Sequence, residues 1–86
     1  MGHKPRPKPE RLAAKLLQIR QHLGLSQSQL VKRLDLYPDV ALTIDSCRIS
    51  EYEHGTREPN LMVLLAYARV AKVRLEKIVD DNMDLT

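Results

Sequence analysis

A second cysteine is missing from this chain, and with it any intramolecular disulfide framework; the lone Cys47 fits a reducing compartment. No apolar run approaches the length needed to cross a bilayer. The basic, proline-rich start is not followed by the hydrophobic region of a secretory signal, so the expected place is the cytoplasm. The three glycines are scattered and form no phosphate-cradling loop, and no histidine or cysteine spacing resembles a metal site. No nucleophile comes with a base and an orienting partner, and Glu51, Glu53 and Glu58 have simpler explanations than catalysis. An enzyme, a cofactor and a metal are therefore not expected.

What is present suits one small soluble domain. The 86 residues, 43% of them hydrophobic, supply one core and leave too little for a second. The net charge of +3 is compatible with a polyanionic partner without demanding one. Its distribution says more. Met1 to Asp35 carries eight basic residues against two acidic ones, Leu36 to Asn60 two against five, and the remainder four against four. Attraction to phosphates would come mainly from the first third, and the acidic middle would supply discrimination more than affinity. That acidity also leaves room for a protein-interaction adaptor without DNA binding.

Residues 1–9 interleave Lys4, Arg6 and Lys8 with Pro5, Pro7 and Pro9, which forbids a helix and favours an extended arm. Residues 10–81 read as the folded domain and 82–86 as a short tail. A first helix is expected over about 10–23, with Leu12, Leu16, Ile19 and Leu23 at helical spacing and Gly24 as its stop. Ser26 and Gln29 form the pattern of a capping box, flanked by Leu25 and Leu30 as a hydrophobic staple, so a second helix should follow over about 27–34. Leu30, Val31 and Leu34 would face inward.

Asp45 repeats the signal, with Ile44 and Ile49 as the staple and Gly55 as the stop, for a third helix from Ser46 to His54. A polar-faced helix this short is carried by its neighbours, and its outer face is what it displays. Pro59 and Asn60 open a fourth helix over LMVLLAYARVAKV, apolar nearly all round and expected to be central and buried. A short fifth helix carries Leu75, Ile78 and Val79. Between the second and third helices runs a ten-residue connection, Asp35 to Ile44, in which Pro38 excludes a continuous helix and Val40, Leu42 and Ile44 alternate. It reads either as a loop packed under the domain or as an extension of an interface.

L-x-x-I-R at Leu16–Arg20, G-L-S-Q-x-x-L at Gly24–Leu30 and I-S-x-Y-E-x-G-x-R-x-P at Ile49–Pro59 together resemble the phage-repressor and Cro-type (XRE) helix-turn-helix family. The resemblance covers roughly Leu16 to Val79. It implies an all-α, compact, five-helix lambda-repressor-like domain, here with an unusually long connection between helices 2 and 3. It further implies a structural ion pair between Arg20 and Glu53, and a DNA-backbone contact from Gln27. Base contacts map onto Ser46, Cys47 and Glu51. Helical periodicity adds Ser50 on the same outer side, and Arg48 is within reach of a phosphate or a guanine edge. Thr56 and Arg57 match the family's backbone-gripping loop. Where the family has Gly and a capping residue, this chain has Lys72 and Arg74, so the last boundary departs from the pattern.

Several residues keep two readings. Lys32 and Arg33 are either a solvated face or backbone contacts, and Lys4, Arg6 and Lys8 either a solvated tail or an arm along the duplex. His54 and His22 are helix-end surface residues; Cys47 has a minor reading as a reactive thiol. The expected function is a DNA-binding transcriptional regulator, a dimeric repressor or autoregulator with its third helix in the major groove and helices 4 and 5 pairing two copies. The alternatives are an antitoxin bound to a toxin partner, and the adaptor.

Overall fold

Five helices carry the chain through the computed structural model, which describes residues 9–37 and 44–85: α1 Leu12–Leu23, α2 Gln27–Leu34, α3 Ser46–His54, α4 Leu61–Ala71 and α5 Leu75–Val79. The described residues contain no strand, and the domain is all-α. α1 packs on α3, α4 and α5, while α2 packs on α3 and α4. Leu16, Leu30, Leu34, Ile49, Val63, Tyr67 and Ile78 are fully buried where these helices meet.

The starts are fixed by side chains. Ser26 Oγ accepts the Gln29 N–H at 3.1 Å and Gln29 Oε1 accepts the Ser26 N–H at 2.8 Å, a reciprocal capping box that satisfies two otherwise orphaned donors. Asp45 Oδ1 accepts the Arg48 N–H, and Asn60 Oδ1 accepts the Val63 N–H, each at 2.9 Å. Asn60 is thus the cap of α4 and Leu61 its first residue. The ends are equally explicit. At Gly55 (φ 76°) the chain enters the left-handed region, with Gly55 N–H on Tyr52 O and Thr56 N–H on Glu51 O. Lys72 does the same without a glycine's freedom (φ 57°), closing α4 at Ala71 where the apolar pattern suggested a helix as far as Val73.

α1 begins at Leu12, two residues later than its apolar pattern suggested, and the two residues before it are anchored by the far end of the chain. Asp81 Oδ2 and Oδ1 accept the Glu10 and Arg11 N–H groups, both at 2.9 Å. Arg11 returns the contact through Asp81 O at 2.8 Å and the Asp84 carboxylate. Of the 82–86 segment, read from sequence as a tail, residues 82–85 are described: Asp84 pairs with Arg11 just before α1, and Leu85 packs against the core. The Arg11 and Glu10 backbone hydrogen bonds hold the Asp81 carboxyl below its ordinary 3.8. A depressed carboxyl contributes stability above its ordinary value and loses it as pH falls through the lowered one. The Glu10 and Arg11 amide resonances should therefore move together in an acid titration with a midpoint below 3.8; a midpoint at or above that value would break the assignment.

Two buried polar groups were not foreseen. Lys15 is 1% exposed, its ammonium donating to Lys77 O at 2.8 Å and Asp80 O at 2.7 Å, at the C-terminal end of α5 where the helix dipole favours a cation. Tyr67 is wholly buried, and its hydroxyl has no hydrogen-bond partner among the described residues. Burial holds that phenol far above its ordinary 10.0, and Glu53 adds to the effect. Tyr67→Phe is expected to leave stability unchanged or raise it by up to ~1 kcal/mol in urea melts, since an unpaired buried hydroxyl is lost. A larger drop would mean that the hydroxyl has a partner.

α4 is not buried all round. Leu61 is 66% and Met62 38% exposed at its first turn, and Arg69 reaches over the Tyr37 ring at 5.9 Å on another side. Val31, expected inward with Leu30 and Leu34, is only half-buried. In the connection, Tyr37 and Ile44 pack against the core, while 38–43 lie outside the described residues.

Candidate nucleic-acid interface

The angle between α2 and α3 is set at one polar node. Arg20, from the last turn of α1, donates through Nε to Glu53 Oε2 at 2.6 Å and through Nη2 to Glu53 Oε1 at 3.0 Å, a bidentate pair. Its Nη1 donates to Leu25 O at 3.0 Å, just before the α2 cap. Gln27 Nε2 adds a third donor to the same carboxylate, 3.2 Å from Glu53 Oε1. One carboxylate on α3 thereby holds the last turn of α1 and the first turn of α2, while Arg20 also holds the turn between them. The Glu53 side chain is 3% exposed, so these bonds form in a poorly solvated place. The hydrogen bond to Glu53 raises the Arg20 guanidinium above its already high ordinary value, against the lowering effect of burial.

With Ile49 and Tyr52 turned into the core, the rest of α3 is displayed. Cys47 is exposed and Ser46, Arg48, Ser50 and Glu51 are half-buried. These are the five residues for which base contacts were expected, and they share one short helix. Ser50 O lies 2.7 Å from His54 Nδ1, which fits an imidazole N–H donating to it and ties His54 to the end of its own helix.

The backbone-contact candidates fall in two groups. Thr56 and Arg57 follow α3 directly. Thr56 Oγ1 donates to Glu51 O at 3.2 Å, and the Arg57 Nε lies 3.4 Å from Glu51 Oε2. Arg48 Nε lies 3.7 Å from Glu51 Oε1 on the other side, so Glu51 stands between two guanidinium groups. Both arginines pull down the Tyr52 phenol, although burial wins and leaves it above its ordinary 10.0. The second group is on α2: Lys32 and Arg33 are exposed in its last turn, whereas Gln27 at its start is half-buried and engaged with Glu53.

The arm residues Lys4, Arg6 and Lys8 lie outside the described residues. Pro9, where the description begins, lines an open groove of about 460 Å³ shared with Leu12, Ala13, Tyr52, Gly55 and Arg57. Pro9 thus shares a groove with Arg57, one of the backbone-contact candidates.

Compared with protein-family models, with curated proteins and with solved structures, the chain finds no match in any of the three. Among the described residues, no group of three or more His, Cys, Asp or Glu side chains is placed to hold a metal ion, and no helix is long and apolar enough to cross a membrane.

Sequence reasoning missed the Gln27–Glu53 bond and the position of Glu51 between Arg48 and Arg57. The second had a readable signal: Arg48 and Glu51 are three apart on one helix, and a left-handed Gly55 turns the following residues back over it. Gln27 offered no comparable signal, because a polar residue in a first turn suits solvent, phosphate or a neighbour equally well.

Proposed function

We propose that this chain is a cytoplasmic, sequence-specific DNA-binding regulator that acts as a homodimeric repressor or autoregulator, with α3 in the major groove. Support comes from one arrangement. The Arg20, Gln27 and Glu53 node fixes α3 against α1 and α2 while Cys47, Arg48, Ser50 and Glu51 stay on its outer side. A helix held this firmly at its inner face, with hydrogen-bonding and charged groups outward, suits reading of base edges. The motif resemblance to the XRE family points the same way and supplies the assignment of Ser46, Cys47 and Glu51 to bases.

Lys32, Arg33 and Arg57 would meet phosphates, giving affinity that falls steeply with salt. Thr56 has its hydroxyl directed to Glu51 O and would position the loop more than grip the backbone. Pairing of two copies through α4 and α5 is favoured by the exposed Leu61 and Met62, apolar residues unsuited to a free surface when clustered. Two-fold symmetry would then place half-sites about 34 Å apart.

The test is selection from a random duplex pool at near-physiological salt, followed by sequencing of the retained fraction. A two-fold symmetric site is the expected result and would give the half-site spacing. A retained pool identical to the input would move the reading to an antitoxin dependent on its toxin partner, or to a protein-interaction adaptor, both compatible with the acidic stretch around α3.

A further inference from the structure

We propose that Glu51 is a charge clasp: its single carboxylate engages both Arg48 and Arg57 in the free protein and offsets part of their charge, weakens binding to non-cognate duplex, and releases both guanidinium groups where a base edge offers its carboxylate another donor. The inference rests on the DNA-binding reading and adds to it a mechanism for rejecting wrong sequence.

Glu51 Oε1 is 3.7 Å from Arg48 Nε and Glu51 Oε2 is 3.4 Å from Arg57 Nε, so each carboxylate oxygen faces a different cation. Arg57 is brought back over α3 by the turn at Gly55, where the Thr56 N–H and hydroxyl both donate to Glu51 O. The backbone that carries the carboxylate and the backbone that carries Arg57 are therefore locked together. All three side chains remain between 35% and 49% exposed, open to exchange partners with a ligand. Separations under 4 Å lie well inside the Debye length of about 8 Å at physiological salt, so a phosphate approaching either arginine meets a partly offset charge.

On a random duplex nothing replaces the arginines as partners of Glu51, so both guanidinium groups stay engaged with it. In the major groove a cytosine N4 amino group can donate to it, and the arginines are then free for phosphate or a guanine edge. Discrimination thus comes from two arginines held back from phosphate until the right sequence gives Glu51 another donor.

The experiment is a double-mutant cycle read on labelled mixed-sequence duplex across a salt series. Glu51→Gln keeps the side-chain shape and removes the charge. It is expected to tighten non-cognate binding about tenfold at low salt and to steepen the log–log salt slope by about one, as one more phosphate is engaged. In an Arg48→Gln, Arg57→Gln background the same replacement is expected to change binding less than twofold. Equal tightening in both backgrounds would show a general charge effect and overturn the clasp. So would no tightening in a wild-type background that itself binds duplex with a normal salt slope. Failure of the wild-type chain to bind any duplex even at low salt would remove the DNA-binding reading, and the clasp with it. Circular dichroism melts of each variant exclude unfolding as the source of a loss.

Discussion

Glu53→Ala is expected to lower the unfolding free energy by about 3 kcal/mol, the scale of a buried ion pair broken on one side. The variant leaves the Arg20 guanidinium without its bidentate partner and the Gln27 amide without its acceptor. Arg20 retains its bond to Leu25 O and is 19% exposed, which keeps the loss toward the lower end of that scale. Removing both partners tests the cause. Arg20→Met combined with Glu53→Met should recover more than half of the loss, because no charge is then left buried and unpaired. A single-variant loss below ~1 kcal/mol would place the pair with ordinary surface ion pairs. On the proposed DNA-binding reading, the same variants should lower selectivity before they unfold the domain, since the node joins α3 to α1 and α2.

Lys15→Ala is expected to be at least as damaging, at about 3–4 kcal/mol in denaturant melts. The ammonium stem is buried with the core residues, so truncation to alanine opens a cavity and also strands Lys77 O. Asp80 O is less exposed to the loss, because it also accepts the Met83 N–H at 3.0 Å. Lys15→Met separates the two contributions. Methionine keeps the bulk of the stem and relieves the burial of a charge, so its loss should be about half that of alanine. Equal losses in the two variants would mean that the hydrogen bonds dominate and the packing does not.

Where a signal is local in sequence, it was legible. Ser26 with Gln29, Asp45 with Arg48 N–H, and Gly24 and Gly55 in the left-handed region fix four helix ends using groups no more than five residues apart. The outward placement of Cys47 and the burial of Ile49 and Tyr52 follow from helical periodicity in the same way. Contacts between distant positions were not legible. Nothing near Arg11 announces that a carboxylate 70 residues later will accept its N–H. Lys15 was a partial exception. It lies three residues from Leu12 and four from Ile19 on the buried stripe, but a lysine there is normally assumed to reach solvent, and only the carbonyls at the end of α5 make its burial tolerable. For the candidate interface, the residues of α3 were legible as a displayed face, while their ion pairing depended on how the chain turns after Gly55.

The anchoring of Glu10 and Arg11, just ahead of α1, by Asp81 bears on how the domain is made. Its first helix leaves the ribosome early, yet the N–H groups of Glu10 and Arg11 meet their acceptor only once Asp81 has been synthesised. Contacts at such separation close late, after the loop entropy of nearly the whole domain has been spent. A nascent or prematurely ended chain lacking Asp81 therefore has a frayed first turn, beside the groove that leads to Pro9. Added protease is therefore expected to cut near Pro9 sooner in a chain that stops before Asp81 than in one that carries it.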